Sequence, residues 1–226
     1  MLGVLSKMLR KKLSFISLLL VIVFFLTTVI NVPVVEAATF KDINKSSVFI
    51  KQKTNYTCTL ASTTMLIRRV KLAEGKKTWS SITESKMRRK IWIEGCGIYN
   101  NFTYEGVKVK LKKITSNRKK EYISLLKKHP EGVVAYNKGK GGQYHAILLT
   151  DYNAATDTFY CADPAKGTSK GRIPLSKSSI VGSNQNKKIN NLTMCWYVSS
   201  KTPTLKDTAK TKVVKTKVIT KTTKKK

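Results

Sequence analysis

The chain reads as an α+β protein, and three observations carry that reading. Apolar residues recur at helical spacing in the first half, from Cys58 to Val70 and again from Ile82 to Ile93. Strictly alternating or short apolar runs of strand type dominate the second half, at 107–112, 132–136, 145–152, 158–162 and 193–199. Strand–helix–strand units are too few for a parallel sheet, so the strands are expected to pair antiparallel.

The N-terminus has the makings of an export signal. Lys7, Arg10, Lys11 and Lys12 precede an uncharged apolar stretch from Leu13 to Ile30, and Val35-Glu36-Ala37 offers small residues for cleavage after Ala37. The stretch is also near the lower limit for a membrane span, so a retained anchor is the alternative. In either case the chain from Ala38 onward is expected outside the membrane, secreted or held at the envelope. The three expected regions are a signal segment at 1–37, one domain at 38–200 and a tail at 201–226.

Within the domain, Thr39 to Lys53 is a leading extended segment, with Val48-Phe49-Ile50 as a short strand-like run ending near Gln52. Leu60, Ala61, Met65, Leu66, Ile67 and Val70 cover a broad face, which predicts a helix packed into the core. Lys71 to Lys77 is a loop. Thr and Ser cap candidates before Glu84 begin a second helix, expected from Ile82 to Ile93, and Gly95-Cys96-Gly97 breaks it. Tyr99 to Tyr104 reads as a polar-aromatic loop, either the wall of a cleft or an ordinary packed loop. Val107, Val109 and Leu111 alternate with lysines, as in a strand with one buried face. Ser116 or Asn117 caps a helix that His129-Pro130 ends. Gly132 to Tyr136 is a short buried strand and Gly139 to Gly142 a turn. His145–Tyr152 and Thr158–Ala162 form a hairpin that Asp163-Pro164 stops, because proline cannot donate to a ladder.

The chemistry concentrates on Cys58. A cysteine that opens a helix meets unpaired N–H groups and the positive end of the helix dipole, which favour a thiolate. Gln52, six residues upstream, carries a side-chain amide able to donate to an oxyanion formed by thiolate attack on a carbonyl. A histidine is needed to take the thiol proton and a carboxylate to orient it. His145 is the candidate base, since His129 before Pro130 is accounted for by its helix end. Asp163, Asp151 and Asp157 compete as the carboxylate. Period two puts Asp151 on the face of His145 but about 20 Å along the strand. Asp157 belongs to the hairpin turn, and Asp163 lies on the returning strand.

Three pieces together resemble the papain-like cysteine peptidases, and within them the bacterial bacteriocin-processing, double-glycine-leader peptidases in a secreted stand-alone form. They are Gln52 and Cys58 with Ala61, Ser62 and Met65; the strand after an amphipathic helix at Gly132; and Tyr144-His145 through Asp151, followed by Phe159 to Pro164. The resemblance spans about Val48 to Ala165. It implies a papain-like fold with the cysteine helix against a C-terminal antiparallel sheet. It also implies Cys58 as nucleophile, His145 as base and acid, Asp163 as orienting carboxylate and Gln52 in the oxyanion hole. No metal or organic cofactor is implied, and the substrate is a peptide or protein. Thr59-Leu60 and Asp151 stand where relatives often carry glycine or proline.

Four cysteines, Cys58, Cys96, Cys161 and Cys195, allow disulfides in an exported chain. Cys161 and Cys195 are candidates for a bridge if their strands are neighbours. A Cys58–Cys96 bridge would exclude nucleophilic use of Cys58. The absence of CxxC spacing and the presence of only two histidines argue against a zinc site.

The net charge of +32 favours anionic partners but carries no signature of specific nucleic-acid recognition. Lys201 to Lys226, with ten lysines and a single Asp, reads as a disordered basic tail. Two function classes fit this sequence: an exported cysteine peptidase or amide hydrolase, or a non-catalytic surface protein held on anionic cell-wall polymer or lipid by that tail.

Overall fold

In a computed structural model the chain divides into two units, Met1–Glu36 and Ala37–Lys226, of which only the second holds described residues. The structure describes residues 40–138, 144–166 and 171–200. The expected signal segment at 1–37, the expected tail at 201–226 and the expected turn at 139–142 lie outside the described residues.

The second unit is α+β. A single helical turn at Phe40–Ile43 stands where an extended segment was expected, and the longer helices among the described residues are α1 (Cys58–Ala73), α2 (Glu84–Ile91), α3 (Arg118–Lys128) and α4 (Gln185–Asn191). Trp92–Ile93 (β1) and Gly97–Ile98 (β2) form a small antiparallel pair. The main sheet contains β3 (Asn101–Tyr104), β4 (Val107–Lys113), β5 (Val133–Lys138), β6 (Tyr144–Asn153), β7 (Thr158–Ala162), β8 (Ile173–Pro174) and β9 (Met194–Val198). Its seven strands run in the order β3-β4-β9-β5-β6-β7-β8, with every neighbouring pair antiparallel.

Both faces of the central strands are buried. Val134, Ala146 and Leu148 pack with Leu60, Met65 and Leu66 of α1, whereas Val133, Ala135, Ile147 and Leu149 pack with Tyr122, Leu125 and Leu126 of α3. Two buried faces explain why Ala146 to Leu149 is a continuous apolar run. The last strand, β9, lies between β4 and β5 in the sheet's interior.

α1 is buried at every residue but Leu72. Two arginines inside it are held by main-chain oxygens. Arg69, fully buried, donates to the carbonyls of Ile43, Pro130 and Glu131 and to Asn44 Oδ1, and burial lowers its pKa to about 10 against the opposing charges of Asp151 and Glu131. Arg68 donates to the carbonyl of Ile82 at 2.7 Å. These bonds tie the chain before α1 and the turn before β5 to one helix. At that turn Gly132 has φ 94°, and a Cβ there would stand 2.4 Å from the carbonyl oxygen of Leu149.

Several local expectations need correction. Ser46–Val48 is a 3₁₀ turn, and Phe49-Ile50 is extended but pairs with no strand. The second helix ends at Ile91, because Trp92 and Ile93 turn back onto β2. Thr83 is its cap, accepting from the Lys86 N–H. Asn101–Tyr104 is a strand paired with β4, not a loop. Asn117, at φ 38°, caps α3 by accepting from the Lys120 N–H.

Candidate active site

Cys58 is the first residue of α1 and is almost completely buried. The segment before it is braced from α2. The buried Glu84 carboxylate accepts from the Lys53 N–H, with the Thr57 side chain beside it as a second favourable group, while Thr57 closes the turn by accepting from the Thr54 N–H and donating its hydroxyl to the Thr54 carbonyl. Burial raises the Glu84 pKa, and these two groups oppose the rise.

His145 is the second residue of β6, and the hairpin register explains its carboxylate partner. Leu148 pairs with Ala162, so Asp163, one residue further, comes abreast of Ile147 and becomes a diagonal neighbour of His145. His145 Nε2 meets Asp163 Oδ1 at 2.8 Å. The Cys58 thiol acts on the same imidazole and favours its charged form. With Nε2 taken by Asp163, the nitrogen left for the thiol is Nδ1. Burial works against a charged imidazole, but Asp163 and Cys58 prevail and hold its pKa up at about 9.

Asp163 is fully buried, yet its carboxyl titrates below the usual range. Burial pushes it upward; the bond to His145 and the N–H groups of Ser179 and Ala165 more than offset this. The Ser179 donor sits in a loop pinned from α4. Lys188, itself buried, donates its ammonium to the Ser178 carbonyl at 2.5 Å, and Asn191 donates to the Val181 carbonyl. Burial lowers the Lys188 pKa, and Asp163 is among the charges that raise it.

The competing carboxylates are engaged elsewhere. Asp151 pairs with Arg172 at 2.9 Å. A bulge between Leu149 and Asp151 breaks the alternation that would have put Asp151 on the face of His145. Asp157 bonds Lys119 and the Tyr152 hydroxyl at the hairpin turn. His129 lies against Glu131 at 3.2 Å.

Gln52 is joined to the Asp163 region through its backbone, donating its N–H to the Pro164 carbonyl at 3.0 Å. Its Nε2 donates to the Thr54 carbonyl at 2.7 Å, which engages one of its two amide hydrogens.

A cleft of about 730 Å³ opens over Cys58, walled by Tyr56, Trp92, Tyr136, Tyr144 and Trp196. Gln52, His145 and Asp163 are not among its lining residues. Cys96, exposed, lines the cleft as a free thiol, so no Cys58–Cys96 bridge is formed. Cys161 and Cys195 are also free. The expected bridge between them fails because β5 and β6 lie between their strands. Among the described residues no group of three or more His, Cys, Asp or Glu could hold a metal ion.

Sequence reasoning missed Glu84, Ser179, Lys188 and the aromatic cleft. Glu84 carried a signal only as an acid at a helix start. Lys188 had none, being one of many lysines.

A helix that begins with cysteine, packed on an antiparallel sheet bearing a His–Asp pair, defines the papain-like class. Residues 45–183 match the model of the Peptidase_C39 like family, and the chain belongs to that family of cysteine peptidases, which act on peptide or protein substrates. A search of curated proteins found no match.

Proposed function

We propose that the protein is an exported cysteine peptidase in which Cys58, His145 and Asp163 act together and Gln52 contributes to the oxyanion hole. The observation that carries this reading is the 2.8 Å contact of the His145 imidazole with the Asp163 carboxylate, on a ring whose charged form the Cys58 thiol also favours. Cys58 sulfur attacks the scissile carbonyl carbon as thiolate, with its proton on His145. The carbonyl oxygen becomes an oxyanion, which the free amide hydrogen of Gln52 and the Cys58 N–H at the helix start are suited to bind. Imidazolium then gives its proton to the leaving amine as the C–N bond breaks, leaving a thioester. Water, deprotonated by His145, attacks the thioester and releases the carboxylate product and the thiol. Asp163 keeps the ring oriented and stabilises its charge throughout.

The apolar N-terminal segment directs export, and Lys201–Lys226 tethers the enzyme to anionic cell-wall polymer or lipid at the envelope. Hydrolysis of an unstructured protein substrate by wild type, with loss in Cys58→Ala and His145→Ala while both variants remain folded by circular dichroism at the assay temperature, is the expected result. Equal hydrolysis by Cys58→Ala would reject the assignment. Removing Lys201–Lys226 is expected to abolish salt-sensitive binding to anionic vesicles while sparing hydrolysis.

A further inference from the structure

The cleft over Cys58 departs sharply from the rest of the chain in its charge. The protein has 44 lysines and arginines, yet among the described residues none lines this cleft. The one acid among its described lining residues, Glu94, is already engaged, accepting from Arg88 at 2.7 Å and from the Trp92 indole N–H at 2.9 Å. Aromatic rings make the walls. Tyr136 stacks on Tyr144 at 6.3 Å and meets Trp196 edge-on at 6.1 Å, while Tyr56 leans on Trp92 at 6.4 Å.

Large apolar side chains are exposed in the same region. Five are exposed among the described residues: Tyr56, Ile93, Tyr99, Tyr144 and Val181. Tyr56 and Tyr144 line the cleft, and Ile93 and Tyr99 are chain neighbours of lining residues. Leaving such surface in water is unfavourable, and its concentration at one concave site marks a place where an apolar group docks.

We infer that this cleft selects a peptide with a large, uncharged apolar side chain, Phe or Leu, beside the carbonyl presented to Cys58. The rings offer area and flat faces for stacking at low entropic cost. A lysine or glutamate there would lose hydration without gaining an ionic partner among the described residues, since Glu94 is paired and none of the described lysines or arginines lines the cleft. Serine would fit but leave the rings uncovered. The occupant's being a peptide rests on the peptidase reading; its apolar character rests on the cleft alone.

The test uses full-length protein carrying Cys58→Ala, so that binding is read without turnover. Trp92 and Trp196 line the cleft and report occupancy by fluorescence. Decapeptides identical except for a central Phe, Ser, Lys or Glu are titrated. The Phe peptide is expected to bind about 10- to 100-fold more tightly than the Ser peptide, with Lys and Glu weaker still. Tyr56→Ser and Tyr144→Ser, made on that background, are expected to shrink the preference. Both rings are more than half exposed, at 58% and 54%, so their loss should leave the melting temperature unchanged. Equal binding of Phe and Ser peptides, preference for a charged centre, binding by none of the four, or a preference untouched by both tyrosine changes would each overturn the inference. A clear Phe preference without hydrolysis by the wild type would instead remove the catalytic reading and leave this one standing.

Discussion

Ser62, one turn into the helix that Cys58 begins, hydrogen-bonds through Oγ to the carbonyl oxygen of Ala146 at 3.3 Å. Ala146 is the residue after His145 in the chain. The bond crosses 84 residues of sequence and is fully buried, so it pins the start of α1 to the start of β6. The separation of thiol and imidazole therefore depends on helix–sheet packing and not on a loop. Ser62→Ala is expected to cost about 1 kcal/mol of stability and to lower kcat more than it raises KM. Chemical denaturation and steady-state kinetics check both.

The four thiols are expected to differ in reactivity. Iodoacetamide, with mass-spectrometric mapping and no reductant, should label Cys58 quickly in wild type and slowly in His145→Ala. Cys96, exposed, should label in both at one rate. Cys161 and Cys195 should stay unlabelled in the folded protein. Burial lifts the Cys161 thiol well above its ordinary range and pushes Cys195 up to about 12. Labelling of either before unfolding would contradict the described packing.

The pH dependence has a definite sign. Although burial disfavours its charge, His145 is held at about 9 against an ordinary 6.5 by Asp163 and Cys58. Its contribution to stability is thus complete below pH 6.5 and is lost as pH rises through about 9. Asp163 behaves oppositely: its depressed pKa contributes stability above its ordinary value of 3.8, lost as pH falls through the folded value. Urea midpoints of wild type and His145→Gln should converge as pH rises from about 6 to about 10, by roughly the linkage expected for such a shift. Activity that needs the imidazolium should fall on the alkaline side near the same point.

Asp163→Asn should keep the hydrogen-bond geometry but remove the charge, lowering kcat by between about 10² and 10⁴-fold and dropping the His145 pKa in NMR titration. Lys188→Met removes the ammonium that pins the Ser178 carbonyl beside the Asp163 donor loop. Its expected effect is a smaller fall in kcat, little change in KM and a His145 pKa below that of wild type. A His145 titration identical to wild type would show that Lys188 does not position Asp163.

Arg69→Met should be among the most damaging core substitutions. It leaves the carbonyls of Ile43, Pro130 and Glu131 without their buried donor, at about 1–3 kcal/mol for each group left unsatisfied. Denaturant melts should show a loss of at least about 3 kcal/mol, and a loss below about 1 kcal/mol would mean that those carbonyls find water.

Local pattern by itself determined a good deal about this protein. The helix opened by Cys58, a cap at Ser116 or Asn117, the strands around Val107 and Val134 and the hairpin from His145 to Ala162 all arise from spacing that acts within a few residues, through backbone sterics and the two periodicities. The candidate Gln52, Cys58, His145 and Asp163 were legible for the same reason, as a motif at the start of one helix and at the two ends of one hairpin. Tertiary structure alone decided which carboxylate meets His145, because a bulge redirects Asp151 and the hairpin register delivers Asp163. It alone kept Cys161 and Cys195 apart, by inserting the C-terminal strand between β4 and β5. It alone gathered Tyr56, Trp92, Tyr136, Tyr144 and Trp196 into one cleft. Strand order and cross-chain packing are set by how distant apolar faces close on one another, and no window of neighbouring residues carries that information.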